Sequence, residues 1–72
     1  MSQPLDLNQF VHDLRNPLNN ISMHAELGKL QAENGASAEK LMQTFSTILT
    51  QCQRCSTLLE DIKTQVADGS AD

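Results

Sequence analysis

The chain has 72 residues and a formal net charge of −4, with nine acidic against five basic residues and only 3% aromatic content. That length allows one domain at most, and below roughly 70–80 residues a core usually needs a disulfide, a metal or a partner chain. Singly scattered basic residues exclude a nucleic-acid surface, no apolar run approaches the roughly 18–20 residues of a membrane span, and the N-terminus lacks the basic start and apolar core of a signal peptide.

These exclusions point to a cytoplasmic protein, since two cysteines are too few for a secreted disulfide framework. Residues 1–6 form a short leader in which Pro4 discourages helix. Asp6 is the expected N-cap, with Asn8 as a rival, because either side chain can accept from the exposed N–H groups of a helix start. From there Leu7, Val11, Leu14, Leu18, Ile21, Ala25, Gly28 and Ala32 alternate steps of four and three, the seam of a heptad-packed helix. This first helix is predicted over 7–33 and ends at Glu33-Asn34-Gly35, where Gly35 can take the left-handed conformation that closes a helix.

Residues 34–37 form the connection. Ser37 caps the second helix, and Glu39 places a negative charge at its positive dipole end. That helix is predicted over 38–66, with Leu41, Phe45, Ile48, Cys52, Cys55, Leu59, Ile62 and Val66 on its seam. A flexible tail, 67–72, follows. A connection this short makes the helices antiparallel neighbours, so the fold class is all-α, a helical hairpin. Phe10, Leu27, Met42, Leu49 and Leu58 widen the two stripes beyond what one partner helix can cover. A homodimer forming a four-helix bundle is the simplest way to bury them.

One stretch, Phe10 to Ile21, departs from this scaffold pattern. Pro17 inside a helix removes a backbone hydrogen bond and crowds the carbonyl of Asp13, at roughly 3 kcal/mol. With Val11 and Leu14 at heptad positions a and d, His12, Asp13 and Asn16 fall at b, c and f, on the outward side. A largely neutral imidazole there offers a ring nitrogen that can attack phosphorus. A neighbouring carboxylate can fix its tautomer and stabilise the charge that forms. The same spacing also fits a solvated helix face. His24, at g, lacks the acid-and-proline context and reads as a flank residue, and Asn19, Asn20 and Met23 lie at b, c and f below His12.

His12-Asp13-Leu14-Arg15-Asn16-Pro17-Leu18 resembles the H-box of the dimerisation and histidine-phosphotransfer (DHp, or HisKA) domain of bacterial sensor histidine kinases. All seven positions match. Leu58-Leu59-Glu60-Asp61-Ile62 is similar to the end of that family's second helix. The resemblance implies His12 as phosphoacceptor, Asp13 as the base or orienting group, and Asn16 as the residue that orients water when a response regulator is dephosphorylated. Pro17 would supply a bend, with Leu14, Arg15 and Leu18 completing the motif.

The family's ATP-binding domain, with its Asn-containing box and glycine-rich lid, is not found in this sequence. The chain is therefore expected not to phosphorylate itself from ATP alone. It would exchange phosphoryl groups with a response regulator receiver domain or a separate kinase catalytic domain, as a phosphotransferase or a regulator phosphatase. No cofactor is expected on the chain itself, and Mg2+ would come with the partner. Two other readings stand beside this one: a non-catalytic module that pairs with or inhibits a sensor kinase or regulator, and a fragment of a larger sensor kinase. Cys52 and Cys55, on seam positions, read as small buried core residues, open to intersubunit oxidation if the two pairs meet at a dimer axis.

Overall fold

The computed structural model describes residues 6–70, with side chains described through Val66. The expected leader before Asp6, with Pro4, and the last two residues lie outside the described residues. Two antiparallel helices, α1 (Leu7–Glu33) and α2 (Ala38–Ser70), make up the described chain, a body of 57 × 18 × 12 Å. Asp6 rather than Asn8 caps α1, its Oδ1 accepting from Gln9 N at 3.0 Å. Pro17 sits inside α1 without ending it. Helix α2 runs four residues past the end expected at Val66. Ala67 favours a helix, and Asp68 and Gly69 weaken one without forbidding it.

The turn between the helices closes as the sequence requires. Ala36 N donates to Gln31 O at 2.8 Å and Gly35 N to Ala32 O at 3.2 Å, the paired bonds of a Schellman motif. Gly35 holds φ at +73°, a left-handed conformation that costs other residues roughly 1–2 kcal/mol. Asn34 Nδ2 adds a bond to Leu30 O, and Ser37 Oγ accepts from Lys40 N to start α2.

Each sequence stripe divides into two rows. On α1 the inner row is Leu14, Ile21 and Gly28, joined by Phe10, Pro17, His24 and Gln31, all buried or half-buried. On α2 it is Leu41, Ile48, Cys55 and Ile62, joined by Thr44, Gln51 and Leu58. The hairpin therefore packs through heptad positions d and g rather than through a and d. Asn20 and His24, expected on the outward side and the flank, are drawn half inside for this reason. The alternate seam residues stay exposed: Val11 and Leu18 on α1, and Phe45, Leu59 and Val66 on α2. Cys52 belongs to this outer row and is exposed, while Cys55 is half-buried, and both thiols are free. The buried pair expected from the seam is thus split, because residues three apart straddle the two rows.

Toward the turn the inner row is polar and close. Thr44 is buried, and its hydroxyl donates to Gln31 Oε1 across the hairpin at 2.7 Å. Gly28 faces the Thr44 methyl. One heptad further from the turn, the same register sets His24 opposite Gln51, whose Oε1 is buried without a hydrogen-bond partner. Another heptad on, it sets Pro17 opposite Leu58.

Candidate functional site

The site begins with the way α1 is started. The Asp6 cap fixes the first turn, so the second turn carries His12 and Asp13 at a defined azimuth on the helix. Asp13 follows His12 directly, and its Oδ1 stands 3.6 Å from His12 Nδ1. That carboxylate therefore faces Nδ1 rather than the other ring nitrogen, Nε2. The His12 side chain is 79% exposed and that of Asp13 45%. Gln9 Nε2–H donates to Asp13 Oδ1 at 2.8 Å, a contact that sequence reasoning missed. Its signal was present, since glutamine four residues before aspartate is a recognised helix pair.

Asn16, one turn beyond His12, is exposed, as is Arg15. Pro17 is buried and Leu14 half-buried, so the proline and the aliphatic residue anchor the segment while His12, Asp13 and Asn16 remain outside. Lacking an N–H, Pro17 cannot bond the Asp13 carbonyl one turn earlier. The other histidine is differently placed. His24 is half-buried, and its Nδ1–H donates to Asn20 O at 2.8 Å, tying the ring to its own helix. Only His12 combines exposure with an adjacent carboxylate.

A family model described as the His Kinase A (phospho-acceptor) domain matches residues 7–66. That span takes in α1, the turn and α2 through Val66. The chain belongs to the His Kinase A family. It is thus a phosphoacceptor-histidine module of two-component signal transduction. Neither a curated protein nor a solved structure matches the chain.

Within this HisKA domain the face below His12 is continuous. Steps of four, three, four, four and three lead from His12 through Asn16, Asn19, Met23 and Leu27 to Leu30. Met23, Leu27 and Leu30 are all exposed. At 1.5 Å per residue the stripe runs about 27 Å down the helix. Leu27, which the sequence pattern assigned to a widened seam, lies instead on this outward face. Among the described residues no cluster of three or more His, Cys, Asp or Glu side chains could hold a metal ion, and no helix is long and apolar enough to cross a membrane.

Proposed function

We propose that this HisKA domain exchanges phosphoryl groups with a response regulator receiver domain or a separate kinase catalytic domain, with His12 as the phosphoacceptor. The placement of Asp13 at Nδ1 carries this reading. With the proton on Nδ1, Nε2 holds a lone pair and is open to in-line attack. The N–P bond forms as the P–O bond to the leaving group, ADP or a receiver's aspartate carboxylate, breaks. The ring gains positive charge, which the Asp13 carboxylate stabilises from 3.6 Å. Transfer to a receiver is the reverse, its aspartate taking phosphorus from Nε2.

Asn16, on the same face, orients a water molecule against a receiver's acyl phosphate when the domain works as a phosphatase. Mg2+ belongs to the partner's side of the encounter. The apolar stripe Met23, Leu27 and Leu30 offers the partner a footing below the histidine, since exposed apolar patches commonly mark contact surfaces. The setting is the cytoplasm, in keeping with two free thiols.

The same reading includes a homodimer. Among the described residues Pro17 is the one apolar side chain that the hairpin buries, so one copy has almost no core. It exposes 5811 Å², against about 4400 Å² for a compact monomer of this mass. Helix geometry places both outer rows, Val11/Leu18/Ala25/Ala32 and Phe45/Cys52/Leu59/Val66, roughly a quarter turn from their inner rows. In an antiparallel pair these turns bring both rows to one flank. A second copy laid on that flank completes a four-helix bundle.

The test is to incubate the protein with phosphorylated receivers, or with a kinase catalytic domain and ATP, and to look for acid-labile, base-stable phosphate. Label is expected on the wild type and on His24→Ala, and absent from His12→Ala. Label that never forms, or that survives in His12→Ala, would reject the phosphoacceptor role of His12. If the domain shortens a receiver's phosphate lifetime, Asn16→Ala should slow that loss about a hundredfold.

A further inference from the structure

Two side-chain nitrogens converge on one oxygen at the site. Gln9 Nε2–H donates to Asp13 Oδ1 at 2.8 Å, and His12 Nδ1 stands 3.6 Å from that same oxygen. The first contact is a hydrogen bond, while the second lies beyond the range of one. Gln9 is the third residue of α1. From that position a glutamine can reach back to the backbone N–H of the cap residue and close a capping box. Here Asp6 accepts from the Gln9 backbone, but the Gln9 side chain runs the other way, up the helix.

We propose that Gln9 is a positioning residue for Asp13. Its amide holds Oδ1 short of His12 Nδ1, and so sets how often the imidazole adopts the tautomer that leaves Nε2 free. When Gln9 lets go, Asp13 can close on Nδ1–H and favour that tautomer. When Gln9 holds, the carboxylate stays ready but unbonded to the ring. The consequence for phosphoryl transfer rests on His12 being the phosphoacceptor, whereas the tautomer balance does not.

The experiment reads the imidazole nitrogens of the 15N-labelled protein by NMR, at an alkaline pH beyond which the spectra no longer change. Gln9→Met keeps side-chain length and helix propensity and loses the donor. It is expected to raise the ratio of Nδ1–H to Nε2–H on His12 roughly twofold, the size of an i, i+4 side-chain pair. His24, tied to Asn20 O, should not change and serves as the internal reference. Gln9→Asn, too short to span the turn, must move His12 in the same direction. In an Asp13→Ala background the effect of Gln9→Met should vanish. An unchanged ratio with Asp13 present, or a change that persists without its carboxylate, overturns the proposal. A tautomer shift in a protein that never accepts phosphate would keep the role of Gln9 and reject the phosphoacceptor reading. Phosphate on His12 with an unmoved tautomer would reject the role of Gln9 alone.

Discussion

The inner and outer rows of each helix come from the same heptad stripe, yet they have different fates. Inner residues such as Leu14, Ile21 and Ile48 are half-buried against the facing helix. Outer residues such as Val11, Leu18, Phe45 and Leu59 remain about half exposed. A hairpin can cover only one face of each helix, here the d and g positions, because two cylinders meet along a line. The outer rows are therefore the part of the sequence that a single chain leaves unexplained. They sit about a quarter turn around the helix from His12, so a second copy laid on them would leave the His12 face open.

The sharpest way to break this contrast is to charge the outer row. In an isolated hairpin Phe45→Glu would place a carboxylate at a position 54% exposed, where solvation keeps its cost low. In a four-helix bundle the same change buries two charges, one per copy, at several kcal/mol each. Sedimentation and thermal melting together decide. The expected outcome is a dimer for the wild type, and for Phe45→Glu a monomer that melts far lower. A wild type that sediments as a stably folded monomer, or a variant that keeps its mass and melting point, would remove the reason for pairing the outer rows.

A second change tests the turn that determines which rows meet within the chain. Gly35 is held at φ +73° with nothing within 4 Å of where a Cβ would stand. Gly35→Ala is thus a strain experiment with no clash in it. The expected loss is about 1–2 kcal/mol, read as a lower denaturation midpoint with an unchanged denaturant slope and an unchanged dimer mass. A loss of association would show that the turn also shapes the outer flank.

Much of this was legible in the residues. Period and caps located the helices because Asp6, Gly35 and Ser37 each do local chemistry that depends on few neighbours. Pro17 and the residues around it marked the site because a proline inside a helix calls for a reason. What periodicity could not resolve was which row of each stripe faces inward, since a and g lie on either side of d and both can be apolar. Phe10, Pro17, His24 and Gln31 occupy the g row, and only one of them looks like a core residue. The hydrogen bond of Gln31 to Thr44 makes the row coherent, and its partner lies thirteen residues away. The second helix also outran its expected end, because a small, polar composition was read as a tail although Ala67 and Asp68 permit helix. At the site, Gln9 escaped notice because its role depends on a side-chain direction, and its spacing to Asp13 leaves that direction open.

The smallest expected effect concerns Gly28, and its sign separates two explanations of the inner row. A glycine at a helix contact can be required by close approach of the backbones, or merely be tolerated there. An added Cβ at Gly28 would meet the Thr44 methyl at 3.6 Å, ordinary van der Waals contact rather than a clash. The substitution also removes the entropic penalty of glycine inside a helix, about 0.5–1 kcal/mol relative to alanine. Gly28→Ala is therefore expected to raise stability by about that amount, and to leave both the dimer mass and the His12 chemistry unchanged, since Gly28 lies more than four turns from His12 along α1. If Gly28→Ala instead destabilises, the helices must approach more closely in the assembled bundle than in the single hairpin. The outer rows would then be pulling the inner ones together, and the two rows would have to be treated as one coupled core.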